Sequence, residues 1–393
     1  MAWLKWIGWI ISMSITSLAY AQTHSSDWPT APTLQAKSWA LIDAQSEQVI
    51  VQHNATEQLP PASLTKLMTL YLIFEDLKLG RLNKDERLSV SKKAWKIGGS
   101  TMFLEPRMHP KVGDLIHGIA TYSGNDACIV MAEHISGSEA AFAQRMNAKA
   151  KVLGMKHSHF VNATGYPAKG HYSSALDMAL LATALWRDFP EEYKVFSERD
   201  FTYDGRKQPN RNRLLWTMKG ADGLKTGHTQ EAGYCLVGSA QRNGTRFISA
   251  VFGTKSNRER ANQSKILLEH GFRNFVTMRP LERDIRRKIA VYGGTSDHVW
   301  LKPAHRIAVT VPKGFEKELQ FHLLYKAPQH APIQQGQTIG NIEAVLEHHK
   351  QQTVLSHVPM LAVRNVEAAG WFGRQWDELR LWWENKNKDE VQP

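Results

Sequence analysis

The stretch 60-PPASLTKLMTLYLIF-74 sets one serine and one lysine, Ser63 and Lys66, in a segment that is otherwise almost wholly apolar. Pro60 and Pro61 close an extended region. The spacing then predicts a helix over Ser63 to Leu79, with Gly80 as its stop. Residues three apart share a helix face, so the Lys66 amine can reach the Ser63 hydroxyl. Serine is a poor nucleophile until a base takes its proton. A lysine buried among Leu64, Leu67 and Met68 is expected to lose its charge readily, because desolvation disfavours the cation. A plainer reading is a helix-start serine beside a lysine whose stem is buried and whose head reaches water. Ser89 and Lys92 share the same spacing, so the pair alone does not decide.

Outward from that helix the pattern changes by region. Trp39 to Gln52 alternates and then turns, as a β-hairpin does. Asp114 to Gly154 reads as helices broken at the Ser-Gly-Asn and Ser-Gly-Ser stretches, and Ser174 to Arg187 as another helix. Gly233 to Gly253 holds two apolar runs joined by Arg242-Asn243-Gly244, a strong hairpin signal. A helix follows from Glu259 to Phe275. Strands at both ends of one unit and helices between predict an α+β domain: a single mixed sheet with helices on both faces. Past Arg283, short strand-like runs separated by Gly and Pro predict a small all-β domain. The expected division is residues 1–21, 22–283, 284–362 and 363–393.

Two further short segments bear on the chemistry. Ser123-Gly124-Asn125 lies between helical runs, and Lys225-Thr226-Gly227-His228 leads into the strand pair. S-x-x-K, then S-x-N, then K-T-G, in that order, resembles the signature of penicillin-recognising serine enzymes. The likeness extends over almost the whole chain, through "SGNDAC", "NATGYPAKGHYSSALDMALL", "FTYDGRKQPNRNRLLW" and "DGLKTGHTQEAGYCLV". The chain resembles the low-molecular-mass penicillin-binding proteins, the serine D-alanyl-D-alanine carboxypeptidases of the penicillin-binding protein 5 and 6 type.

That resemblance implies a β-lactamase/transpeptidase-like catalytic domain and a set of roles. Ser63 attacks the carbonyl of the penultimate D-alanine, Lys66 is its base, and Ser123 relays a proton toward the leaving amine. Asn125 holds the substrate amide. Lys225 supplies positive charge. Thr226, Gly227 and Arg260 frame the end that receives the terminal carboxylate. The backbone N–H groups of Ser63 and His228 form the oxyanion hole. Asp177 is read as ordering a helix and Arg211 as structural. The implied partners are the peptidoglycan stem pentapeptide, β-lactams as covalent inhibitors, and other cell-wall enzymes.

The motifs also admit rival readings. A class A β-lactamase would carry S-D-N and an E-x-x-L-N segment, and this chain has neither between Ser123 and Lys225. A D,D-endopeptidase on the same fold and a non-catalytic wall-binding scaffold are the others. No cofactor is expected. His348-His349 resemble a metal pair only superficially and read as solvated residues.

The ends and the charge indicate a compartment. The amino-terminal segment carries Lys5, a short apolar core, and small residues at Ala19 and Ala21, as a cleaved secretory signal does. The formal charge of +12 favours an acidic partner. For an exported chain that means an anionic membrane surface or an acidic polymer, with no nucleic acid. Helical spacing gathers Trp371, Phe372, Trp376, Leu379, Trp382 and Trp383 on one broad face, which reads as an amphipathic helix in a membrane interface. The two cysteines, Cys128 and Cys235, sit in apolar runs and read as buried free thiols in preference to a bridge.

Overall fold

The computed structural model describes residues 28–349 and 351–371. The amino-terminal signal and the tryptophan face beyond Trp371 lie outside the described residues. β1 (Ser38–Asp43) and β2 (Val49–His53) form the expected first hairpin. A short 3-10 turn (Ala62–Thr65) then leads into α1 (Lys66–Lys78), and Gly80, at φ +68°, ends it. The helix predicted from Ser63 therefore begins in the tighter form, common at helix starts.

Five helices fill the middle: α2 (Lys92–Lys96), α3 (Val112–Thr121), α4 (Asn125–Ser136), α5 (Glu139–Val152) and α6 (Ala175–Asp188). Their breaks fall where Ser-Gly pairs predicted. Gly137 closes α4 in the left-handed region, and the Ser138 and Ser174 side chains cap α5 and α6. The small hairpin β3 (Asp200–Tyr203) and β4 (Arg206–Pro209) and the short α7 (Leu214–Thr217) precede the main strands. These are β5 (Ala221–Thr229), β6 (Gly233–Arg242) and β7 (Thr245–Thr254), followed by α8 (Asn257–Asn274).

The five strands order as β2-β1-β7-β6-β5. The expectation of a mixed sheet needs correction, because every pairing in it is antiparallel. Consecutive strands are joined by tight turns, and β1 enters beside β7 in the opposed sense. Side chains alternate faces with a period of two. Trp39, Leu41, Leu236, Phe247 and Val251 pack toward Leu267 and Leu268 of α8. Ala40, Ile42, Val237, Ile248 and Ala250 face the large cluster built around α1, α3, α4 and α6. Helices thus cover both faces, as expected.

The second domain follows β8 (Phe275–Met278) and α9 (Glu282–Ile285). Its strands are β9 (Arg287–Tyr292), β10 (His298–Pro303), β11 (Val309–Pro312), β12 (Leu319–Tyr325), β13 (Gln329–His330), β14 (Thr338–His348) and β15 (Gln351–Ala362). Six of them form one sheet, and β11 pairs with β8. β8 straddles the junction: Phe275 packs in the first domain while its backbone bonds to β11. The boundary expected at Arg283 follows this shared strand. Val366 bridges to Ile333 and Ala368 to Gly294, so the chain as far as Ala368 still belongs to the β domain.

Candidate active site

The 3-10 turn puts Ser63 just ahead of α1 and Lys66 at the first residue of the helix, with Lys66 Nζ 3.0 Å from Ser63 Oγ. Lys66 is fully buried. Its Nζ also donates to the Thr164 carbonyl at 2.6 Å. Burial pushes its pKa down to about 8, and the Arg211 guanidinium adds to the shift. The amine is therefore aimed at the serine and readily uncharged.

Ser123 and Asn125 arrive from the break between α3 and α4. Ser123 sits at φ +66°, unusual for a residue with a Cβ and costly unless the surroundings hold it. Its buried Oγ has no hydrogen-bond partner among the described residues, a group poised for a ligand or a proton. Asn125 is anchored twice to the loop before α3: its Nδ2 donates to the Gly98 carbonyl at 2.8 Å and its N to the Ser100 carbonyl at 2.7 Å. The adjacent Asp126 carboxylate accepts from the amides of Met102 and Leu104 and fixes the same loop.

The third wall is β5, the edge strand of the sheet. Lys225 is buried, and its pKa lies well below the usual lysine value, through burial first and then the cations Lys66, Arg211 and Arg260. A Cβ on Gly227 would lie 3.0 Å from the Pro61 carbonyl and 3.3 Å from Ala62 Cβ. Glycine there lets β5 close on the turn that carries Ser63. Thr226 is buried beside it, and the exposed His228 ring stacks on Tyr234 at 3.9 Å. Arg260 reaches in from α8: its Nη1 donates to the Gly227 carbonyl at 2.9 Å, and its guanidinium lies 5.5 Å from the Tyr234 ring. Burial lowers its pKa to about 10, still cationic at neutral pH.

Contacts thus link Ser63 to Lys66, and β5 with Arg260 to the turn that carries Ser63. Several supporting groups carried no sequence signal. The Thr164 carbonyl is aimed by Asn162, whose Oδ1 accepts from the amides of Thr164 and Gly165 at 3.1 and 2.8 Å. Gly165 passes against Ala62, where a Cβ would collide with its carbonyl oxygen. His171 backs the turn: its Nδ1 accepts from Val161 N at 3.1 Å, so Nε2 carries the proton toward Thr65 Oγ1 at 2.9 Å. Asp177, at the start of α6, accepts from His157 N and Ser158 Oγ and so ties that helix to the same region. Arg211 bonds Ser100 Oγ at 2.6 Å, which ties it to the Asn125 loop. Both cysteines are free and buried, as expected. Among the described residues there is no group of side chains that could hold a metal ion.

Comparison with known proteins agrees with this arrangement. Residues 25–256 match the family model described as D-alanyl-D-alanine carboxypeptidase, and residues 275–368 match the C-terminal domain of penicillin-binding protein 5. The chain is 41% identical over 360 residues to the D-alanyl-D-alanine carboxypeptidase DacC of Escherichia coli, covering 89% of each. It is 39% identical to DacA of the same organism, covering 90% of this chain and 89% of that one. Among solved structures, penicillin-binding protein 5 from Haemophilus influenzae superposes with a TM-score of 0.81 at 36% identity, covering 86% of this chain and 99% of that one. Penicillin-binding protein D2 from Listeria monocytogenes, in its ampicillin-bound form, covers 62% of this chain and all of its own, with a TM-score of 0.57 at 33% identity.

Proposed function

The chain belongs to the D-alanyl-D-alanine carboxypeptidase family, and from that premise we propose that its reaction runs through Ser63 with Lys66 as the base. It is a serine-type D-alanyl-D-alanine carboxypeptidase that acts on peptidoglycan and is bound by β-lactams. Uncharged Lys66 takes the Ser63 proton as Oγ attacks the penultimate D-alanine carbonyl. The charge that develops on the carbonyl oxygen falls to the backbone N–H groups of Ser63 and His228. The C–N bond breaks, Ser123 passes a proton to the amine, and D-alanine leaves. Water then hydrolyses the ester on Ser63.

The leaving residue carries a carboxylate, which is why cations crowd this end. Arg260 grips it with Thr226, and its arrival restores the charge that burial suppresses on Lys225. Asn125 holds the peptide amide on the acyl side. A β-lactam enters by the same attack, but its amine stays tethered after the ring opens.

The single observation that carries this reading is the 3.0 Å approach of a fully buried lysine amine to a serine hydroxyl. The test is Ser63→Ala. It should abolish D-alanine release from a pentapeptide and covalent labelling by a fluorescent penicillin. Labelling that survives the substitution places the nucleophile elsewhere.

We also infer that the chain is exported and held peripherally at a membrane surface. The support lies in the sequence: a leader ending in Ala19-Tyr20-Ala21 and the tryptophan face that begins at Trp371. No helix among the described residues is long and apolar enough to cross a membrane. Deleting residues 372–393 keeps the bridge at Ala368 and should release the protein into the soluble fraction with D-alanine release intact. A truncated protein that still sediments with membranes removes the anchor.

A further inference from the structure

The short helix α7 puts a tryptophan on the surface beside the cleft. It packs on β5, and Lys265 of α8 donates to the Thr217 carbonyl at 3.0 Å. Arg260 precedes Lys265 on the same helix by about 7.5 Å along the axis. Arg211, shortly before α7, bonds Ser100 Oγ at 2.6 Å in the loop that anchors Asn125. α7 therefore flanks the end of the cleft that Arg260 occupies. Its Leu214 and Leu215 are buried, while Trp216 stays 48% exposed.

The indole is fixed and the charge around it is one-sided. Arg199 Nη2 donates to the Leu215 carbonyl at 3.0 Å, and its guanidinium lies 5.9 Å from the Trp216 ring. A ring held in this way gives up little freedom when a ligand stacks on it. Arg213 is exposed one turn before Trp216, and Lys219 is exposed just after it. Asp200 of β3, Asp222 of β5 and Glu269 of α8 pair with Lys207, Arg246 and Arg242. Arg199, Arg213 and Lys219 make no ion pair among the described residues. A matching partner offers a ring face with carboxylates beside it. Peptidoglycan has both: sugar rings whose C–H faces stack on an indole, and stem peptides that carry carboxylates. An anionic bilayer also accepts tryptophan and cations, but lying here it would crowd the mouth through which the stem must enter. We propose that the Trp216 surface holds a second strand of the polymer beside the one whose stem occupies the cleft. The indole stacks on a sugar ring, and Arg213 and Lys219 meet stem carboxylates. This rests on the carboxypeptidase reading above and adds to it a contact that only polymeric substrate can make.

The test compares D-alanine release by the full chain from a soluble pentapeptide and from insoluble sacculi. Trp216→Ala should raise the apparent KM on sacculi about tenfold, as loss of an aromatic anchor does, and leave kcat and the pentapeptide reaction unchanged. Trp216→Phe keeps a ring and should recover most of the loss. Arg213→Gln/Lys219→Gln should raise the sacculus KM about threefold. It should also shrink the rise in that KM which salt at about 0.5 M causes in the wild type. An unchanged sacculus KM in Trp216→Ala overturns the surface. An equal loss on both substrates overturns it too, since the indole would then be supporting the cleft. Weaker binding of Trp216→Ala to phosphatidylglycerol vesicles assigns the face to a membrane and overturns it as well. A wild-type protein that releases D-alanine from neither substrate and is not acylated by a penicillin overturns the Ser63 reading instead.

Discussion

In the catalytic domain Lys66, Asp126, Asp177, Lys225, Arg246 and Arg260 are all buried, whereas the buried side chains of the β domain, among the described residues, are apolar or aromatic apart from Thr310. Thr310 in turn faces the first domain: its Oγ1 lies 2.6 Å from Ser46 Oγ and its N donates to Gln48 Oε1. Removing an ion from water costs several kcal/mol unless it is paired or neutralised. Arg246 is paired, with Asp222 at 2.7 Å. Lys66 and Lys225 have no carboxylate partner among the described residues, and their pKa values fall. The difference separates a domain that accepts the burial cost of ionisable groups from one whose core, among the described residues, is almost wholly apolar.

The largest effect should come from removing the base. Lys66→Met keeps the length and deletes the amine. The rate of acylation by a penicillin should fall by about a thousandfold, within the span of general-base effects. The denaturation midpoint at neutral pH should not fall, because an apolar stem replaces a desolvated amine. In the wild type the acylation rate should rise with pH through about 8 as Lys66 loses its proton, and the variant should lack that rise. A variant that acylates at the wild-type rate would show that burial of this lysine is not catalytic.

A smaller effect concerns the group behind the nucleophile turn. His171 has its pKa lowered to about 4, by burial first and then by His159 and Lys66. The folded ring stays neutral while the unfolded one takes a proton below its ordinary value of about 6.5. The unfolded state thus binds more protons between those values. The stabilisation is complete above about pH 6.5 and declines as pH falls toward 4, by about 3 kcal/mol in all. Urea titrations of wild type and His171→Gln across that window should diverge by this amount. Parallel curves would mean that the ring contributes nothing to acid sensitivity.

How much of this was legible in the sequence depends on the range of each contact. Ser63 and Lys66 could be read because one helical turn joins them, and the Asn243-Gly244 hairpin because its turn is local. The Thr164 carbonyl, 98 positions from Lys66, carries no side-chain signature at all. His171 looks like any loop histidine until Val161 and Thr65 are folded onto it. The sheet's strands were legible, but not their direction. β1 joins β7 across the whole domain, and the alternation that marks a strand is the same in either sense.

The smallest expected effect is on the β domain and tests the comparison from its other side. Glu343 of β14 stands directly opposite His322 of β12 and His357 of β15, with His357 Nδ1 at 3.1 Å. The three side chains form a row across the sheet, but His357 is more than half exposed, and even ionic pairs at exposed sites contribute about 0–1 kcal/mol. Glu343→Gln should change unfolding free energy by no more than about 0.5 kcal/mol and leave D-alanine release from a pentapeptide within error. A twofold or larger change in that release would mean that chemistry in the cleft senses charge on a distant sheet. The separation between a reactive domain and a packing domain would then not hold, because solvated ions on the second would be doing what only buried ones do in the first.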